Sequence, residues 1–587
     1  MNKPTRLFDY INLQAREFPQ EKAISHKHKG IWKHYSSFEF EKHVNEYSLA
    51  LLAHGVVKND KIAVISGNRP EWNFCDNGIL QLGAVNVPIY PTSSLHDYEY
   101  ILNNAEVKYL FISDATIFEK ASKVNVKSLK GIYSFEDVPG CANVSEFLKK
   151  ADWSRLSEVE KMKSEITTQD LATIIYTSGT TGNPKGVMLS HRNIIFNVEE
   201  VSPHLPVKTN HKVLSFLPLC HIFERVVTYF YFFKGVEVYY AESIDSLKEN
   251  IAEVKPHFMT CVPRLMEKIY DGILVKGQDL KGISKLLFNW GINLAHKENA
   301  KSSLFYGFLD KVIYSKFRQA LGGNIVGIVT GAAALQPRIG IFFNNVGITV
   351  REGYGMTETA PVISFNRFGE SENRPGTVGI ILDHVKVKLE HREGMGDGEG
   401  EILVQGENVM MGYYNNPEAT EAAIKDDWLY TGDVGKLEDN KFLKITDRVK
   451  ELFKTSGGKY VAPQFIENTL KESKYIEQII AIGNNRKFVS ALIYPSLINL
   501  KGWAEFKGYD IDFNNSNWVT NELIQEKMKR VIDRYNVQFN HVEQIKKFIL
   551  VNNEWTIDGG ELTPTLKLKR KVIEEKNVEK IESMYKD

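Results

Sequence analysis

Short apolar runs alternate with longer helix-like stretches over most of this chain. LATIIY (171–176) reads as a strand, and VMLS (187–190) as a second strand just after it. VEVYY (236–240) is strand-like, and SIDSLKENIAEV (243–254) predicts a helix with Ser243 as its N-cap. HFMTCV (257–262) predicts the next strand, with Pro263 opening another helix at its first turn. The pattern recurs at NIVGIVT (324–330), QPRIGIFFNNVG (336–347, stopped by Gly347) and ITVRE (348–352). Repeated βαβ units of this kind imply parallel sheets covered by helices. Around 377–446 the texture changes to short alternating runs such as HVKVKLE and EILVQG, which predict a compact β-rich lobe. A charged segment, DRVKELFKTSGGKY (447–460), precedes a smaller unit with its own helices and strands, and the polar stretch 506–520 reads as a surface insertion.

The length of 587 residues exceeds one ordinary core, so two or more domains are expected, with a boundary at Asp447–Lys450. Lys plus Arg and Asp plus Glu both number 73, and this balance gives no reason to expect a nucleic-acid partner. Cys75, Cys141, Cys220 and Cys261 are far apart and read as free thiols in a reducing, cytoplasmic setting. The start of the chain lacks the apolar core of a signal peptide. The longest apolar run, VVTYFYFF (226–233), is too short for a membrane span and reads either as a substrate wall or as a buried helix.

Chemistry concentrates first in YTSGTTGNPKGV (176–187). A strand feeding a Gly-rich loop offers backbone N–H groups, hydroxyls and one cation, Lys185, to a phosphate. The loop is not a Walker A sequence, because Pro184 stands where the second Gly is required and Gly186 follows the lysine. The stretch closely resembles the phosphate-binding loop of the AMP-forming, acyl-adenylating enzymes. In REGYGMTET (351–359) the Tyr354 ring can stack on a flat ligand between glycines, and the Glu358 carboxylate suits a hard cation such as Mg²⁺. In WLYTGDVG (428–435) an Asp after a tight turn can accept from both hydroxyls of a ribose.

The resemblance implies roles residue by residue. Thr177, Ser178, Gly179, Thr180, Thr181, Gly182 and Lys185 would hold phosphates, with Thr177 and Glu358 on the metal side. Glu352, Gly353, Tyr354, Gly355 and Thr357 would line the nucleotide, and Asp433 would bind the ribose. TGAAAL (330–335) lies where the family has a Gly-Gly-Ala-Pro-type turn at the adenine edge, which maps to Gly331, Ala332 and Ala333. In DRVKELFK, Arg448 would contact the ribose, Lys450 would be the pivot between domain orientations, and Lys454 would reach the nucleotide. Gly457 and Gly458 would face CoA. In ELTPTLKLKRKV (561–572) Lys567 is the implied catalytic lysine and Lys569 the alternative, since the Gly that usually precedes this lysine is absent. LPLCHIFER (217–225) resembles the border of the acyl pocket in long-chain members, with His221 lining it. Lys567, Lys185 and Glu358 would carry the catalysis.

These motifs run in family order from about 171 to 571, and three have the flavour of long-chain acyl-CoA synthetases. The implied fold is α/β: a large N-terminal adenylating domain (1–446) of two sheet-based lobes plus a β-rich lobe, a hinge (447–450) and a small mobile α+β C-terminal lid (451–587). The implied reaction joins a fatty acid to CoA with ATP and Mg²⁺. Loose peripheral association with the inner face of a membrane is expected of an enzyme whose substrate partitions there. The alternatives are an adenylating enzyme that loads an acyl carrier protein or uses another carboxylic acid, and a nucleotide-binding scaffold without turnover.

Overall fold

The computed structural model describes residues 3–177, 183–369, 371–556, 559–563 and 568–586. One sheet orders its strands as Gly412–Tyr413, Lys185–Ser190, Leu171–Thr177, Val85–Ile89, Lys61–Ile65, Tyr109–Ile112, Gly131–Ser134 and Ala142–Asn143. Its centre is parallel. Those central strands are apolar almost throughout and buried on both faces, as helix-covered parallel strands must be. Leu171–Thr177 then pairs antiparallel with Lys185–Ser190, placing Thr177 opposite Lys185.

Among the described residues the second sheet has fourteen strands. Ile24–His28, Glu237–Tyr240, Lys212–Ser215, Phe258–Cys261, Gly327–Thr330 and Val350–Gly355 form its parallel part. Val350–Gly355 is the switch: parallel on one edge, it pairs antiparallel with Val362–Phe365 on the other. Through that edge the β-rich stretch is hydrogen-bonded to the parallel strands, so its lobe continues a neighbouring sheet. The strand also runs three residues beyond the predicted Glu352, which puts Gly353, Tyr354 and Gly355 on a strand.

One other expectation needs correction, and one open reading is decided. The helix predicted from Ser243 starts at Leu247. Ser243 and Ser246 instead exchange backbone and hydroxyl hydrogen bonds in a turn, the usual competition of serine with helix formation. The apolar run 226–233 belongs to the helix Ile222–Phe233, which packs in the main core with Phe232 on Phe40 and Tyr229 on Tyr10. This is the packing of a core helix and not of an open wall. The four cysteines are unbonded, and Cys75, Cys220 and Cys261 are buried.

Beyond Arg448 the chain forms a short hairpin, Phe453–Lys454 with Tyr460–Val461, and a three-stranded sheet of Ile476–Ile482, Val489–Pro495 and Ile545–Leu550. This unit has its own core, in which Ile466, Leu470 and Ile479 pack with Met528. Trp518 is buried there, and Ile511, Phe513 and Val519 pack against the same core, so the polar stretch 506–520 is a surface segment anchored by its apolar side chains. Arg264 of the helix Pro263–Gln278 bridges to Glu477 and, at 2.8 Å, to Glu554 of this unit.

Candidate active site

Two clusters of polar side chains come together where the two sheets meet. In the first, the Tyr354 hydroxyl donates to Asp433 Oδ2 at 2.7 Å, and Arg448 Nε lies 3.0 Å from Asp433 Oδ1. Asp433 and Arg448 are direct cross-strand partners, so the ladder itself sets this pair. Burial and the adjacent Asp433 carboxylate push the Tyr354 hydroxyl far above its ordinary pKa, so it stays a donor. The Asp433 carboxylate holds the Arg448 guanidinium above its usual range. A carboxylate has about four acceptor sites and these contacts use two, which leaves acceptor capacity for further hydroxyl donors.

The second cluster is built by the strand Gly412–Tyr413 lying antiparallel on Lys185–Ser190. Lys185 Nζ stands 5.0 Å from the Tyr413 ring centroid, and the Tyr413 hydroxyl donates to Glu358 Oε1 at 2.9 Å. Glu358 sits on the single turn Thr357–Thr359 and is buried. Burial raises its pKa, and the Tyr413 hydroxyl and Lys185 oppose that rise. Asp433 raises it further by its charge, so the two clusters share one field. Sequence reasoning missed Tyr413: GYYNNP reads as a turn, and only the ladder to a strand more than two hundred residues earlier brings it to Glu358.

Replacing Tyr413 with Phe is expected to lower kcat/KM roughly tenfold at neutral pH, the scale of one hydrogen bond to a charged group. The hydroxyl holds Glu358 down, so its loss lets that pKa climb. If ionised Glu358 is the working form, activity falls as pH falls, and the variant loses it at a higher pH than wild type. A pH–rate profile with an unmoved acid limb would exclude this role.

The glycines flanking Tyr354 have different reasons from those read in the sequence. A Cβ on Gly355 would stand 1.9 Å from the Pro361 carbonyl oxygen, so the chain's own backbone excludes a side chain there. At Gly353 a Cβ would meet Phe365 at 3.3 Å. Ala332 adopts φ +71°, a left-handed conformation that favours glycine. Gly331 is buried, Ala333 exposed. This turn is held by Glu352, whose Oε1 accepts from Leu335 N at 2.9 Å and whose carboxyl also accepts from the Gly376 backbone. Burial pushes Glu352 up to about 7. Its observed contacts make it a brace for the turn.

His221 is the N-cap of the helix Ile222–Phe233, its Nδ1 accepting from Phe223 N at 3.1 Å. The Phe223 ring lies 3.5 Å from where a Gly331 Cβ would be, which sets this corner beside the 331–333 turn. Next to it, Glu224 is fully buried and accepts from Ser215 Oγ (2.5 Å) and Thr260 Oγ1 (2.6 Å). Arg225 pairs with Asp76 at 2.5 Å, and Tyr229 donates to the same carboxylate at 2.7 Å. These groups fix the corner that carries His221.

The structure does not bring every expected residue to this place. Lys450 lies exposed on the turn after Arg448. Lys454 Nζ covers the Tyr460 ring at 4.7 Å. Gly457 and Gly458 form the exposed tip of the hairpin, where Ser456 N donates to Arg486 O at 2.9 Å. Ser178, Gly179, Thr180, Thr181, Gly182 and Lys567 lie outside the described residues. Lys569 precedes the helix Arg570–Lys576, and its N–H donates to Glu561 O at 2.7 Å. Arg570, in the same basic run, is spent internally on Glu467 (2.7 Å) and Ala481 O (2.9 Å). At the boundary the Asp447 carboxyl accepts from Arg448 N (2.6 Å) and from Gln464 N (3.1 Å) in the first turn of the helix Pro463–Lys471. Burial pushes Asp447 up to about 8.

A large α/β body with a small α+β unit is the architecture of solved adenylating enzymes. The adenylation domain of a carboxylate reductase from Mycobacterium chelonae superposes with a TM-score of 0.77 at 21% identity, covering 100% of this chain and 92% of that one. O-succinylbenzoate coenzyme A synthetase from Bacillus subtilis, solved with ATP and magnesium ion, gives 0.68 at 19% identity over 96% and 98%. The model of the AMP-binding enzyme family matches residues 11–414 and that of the AMP-binding enzyme C-terminal domain 451–587, so the chain belongs to the AMP-binding enzyme family. Among curated relatives, the long-chain-fatty-acid–CoA ligase FadD15 of Mycobacterium tuberculosis is 32% identical over 95% of this chain and 93% of its own length. Long chain acyl-CoA synthetase 3 of Arabidopsis thaliana is 32% identical over 99% and 92%.

Proposed function

We propose that this chain is an ATP-dependent long-chain fatty acid–CoA ligase. The carrying observation is the meeting of Lys185, Tyr413 and Glu358 with Tyr354, Asp433 and Arg448 in one site. The near-full-length likeness to long-chain ligases supports the choice of acid and of CoA. A carboxylate is a poor electrophile. Its oxygen therefore attacks the α-phosphorus of ATP, the bond to the leaving pyrophosphate breaks, and acyl-AMP forms. The CoA sulfur then attacks the acyl carbonyl, the C–O bond to AMP breaks, and the thiol proton passes to solvent.

Each residue then has a task. Asp433 and Arg448 hold the ribose, and Tyr354 packs on the base while orienting Asp433. Lys185 and Lys567 offset the charge that builds on the phosphates. The described residues contain no cluster of three or more His, Cys, Asp or Glu able to cage a metal, whereas Glu358 offers one buried carboxylate beside the strand that carries Lys185. One carboxylate plus substrate phosphates is the donor set Mg²⁺ takes. Glu358 and Thr177 would hold the ion, which supplies charge neutralisation to the phosphates. Residues 1–446 form the body, 447–450 the hinge and 451–587 the unit that reorients between half-reactions. Among the described residues no helix is long and apolar enough to cross a membrane, and we place the enzyme in the cytoplasm, peripheral to the inner face of the membrane.

Pyrophosphate release from ATP and Mg²⁺, measured across a series of fatty acids with and without CoA, tests this. Release with long acids that becomes catalytic with CoA is expected. Release that CoA does not sustain would move the acceptor to a carrier protein, and no release with any acid would overturn the reaction.

A further inference from the structure

The helix Gly282–Ala295 carries large apolar side chains on its solvent side as well as on its buried side. One face, with Phe288, Gly291, Ile292 and Ala295, packs into the core. The other should then be polar, yet Ile283, Leu286 and Trp290 recur there at helical spacing. Ile283 is 76% exposed, Leu286 70%, and Trp290 more than a third. Trp290 packs edge-on against Phe305, with ring centroids 5.0 Å apart, which joins this face to the segment 304–308. Leu304 there is 98% exposed, and Phe305 and Phe308 are half-exposed. A joined set of large apolar side chains facing solvent marks an interaction surface.

The charges around it indicate the partner. Across 276–316 there are seven lysines against three acidic residues, in a chain whose formal net charge is zero. Asp310, one of the three, is already paired with Arg318 at 2.6 Å. Lys281, Lys297, Lys301 and Lys311 are exposed. Apolar side chains projecting from both a helix and a turn, with exposed lysines along the same stretch and a tryptophan among them, match an interfacial membrane site. The apolar tips enter the acyl boundary while the lysines meet anionic headgroups. A side chain as fully exposed as Leu304 suits a fluid partner better than a fixed pocket.

Resting on the peripheral membrane placement proposed above, we infer that the face carrying Ile283, Leu286, Trp290, Leu304, Phe305 and Phe308 docks this protein on an anionic lipid bilayer. Flotation or sedimentation of the full chain with phosphatidylcholine vesicles, with and without phosphatidylglycerol, tests it. The assay contains no ATP, fatty acid or CoA, so its failure leaves the proposed reaction standing. Binding is expected to the anionic vesicles and to weaken with salt. Lys281→Glu with Lys301→Glu should weaken it about fivefold for each lysine lost from the surface. Leu304→Ser with Phe305→Ser and Phe308→Ser should weaken it at least about tenfold. These residues are exposed, and an unchanged circular dichroism spectrum and melting temperature would show the variants folded. Wild type that stays off anionic vesicles, or a triple serine variant that binds as wild type does, overturns the inference. So does a wild-type dimer that the serine variant converts to monomer, since the face would then belong to a second copy.

Discussion

Asp433→Ala raises the ATP concentration needed for half-maximal rate by roughly tenfold to a hundredfold, the range for lost hydrogen bonds to a charged acceptor. The same change leaves the buried Tyr354 hydroxyl without its acceptor and Arg448 without its ion pair. Both half-reactions should suffer, because acyl-AMP keeps the ribose that Asp433 is proposed to hold. Asp433→Asn preserves the shape and one acceptor oxygen and should recover part of the loss. Steady-state kinetics for ATP, alongside thioester formation from supplied acyl-AMP, read both effects. An unchanged ATP dependence would remove Asp433 from the site, however well its ladder position fits.

Lys567→Ala is expected to slow adenylate formation by about a hundredfold to a thousandfold, the usual cost of removing one electrostatic donor from a charge-building transition state. Thioester formation from supplied acyl-AMP should be nearly unchanged, because the proposed reorientation of residues 451–587 between half-reactions carries Lys567 away from the site. The split between half-reactions separates a catalytic lysine from a structural one, whose loss would lower both. Lys569→Ala is the control: that lysine starts a helix anchored through Arg570 to Glu467, and its side-chain loss should matter little. The reverse result would assign the chemistry to Lys569.

What could be read beforehand was local. Buried parallel strands are continuous apolar runs, so the strands around 171–176 and 257–262 were legible from composition alone. Tyr354, Asp433 and Arg448 each sit in a short motif whose chemistry is visible in a few residues, and the ladders bring them together. Tyr413 was not legible, because its role depends on which strand it pairs with. Glu352 looked like a nucleotide-lining residue by its neighbours, and its carboxyl is turned to backbone N–H groups instead. Glu224 and Arg225 stood in view beside His221, yet nothing in the motif indicates partners as distant as Asp76 and Thr260. The start of the helix Leu247–Val254 was misplaced because two serines offered rival turn geometry.

The two-residue strand Gly412–Tyr413 also governs how the polypeptide emerges during synthesis. Strand Lys185–Ser190 leaves the ribosome with one side of its ladder open, and that side is closed only when residues 412–413 arrive. At 5–20 residues per second the interval lasts on the order of tens of seconds. Throughout it an unpaired strand edge is available to other nascent chains. Truncations ending before residue 412 should therefore be recovered largely as aggregate, and those extending past Tyr413 as soluble protein.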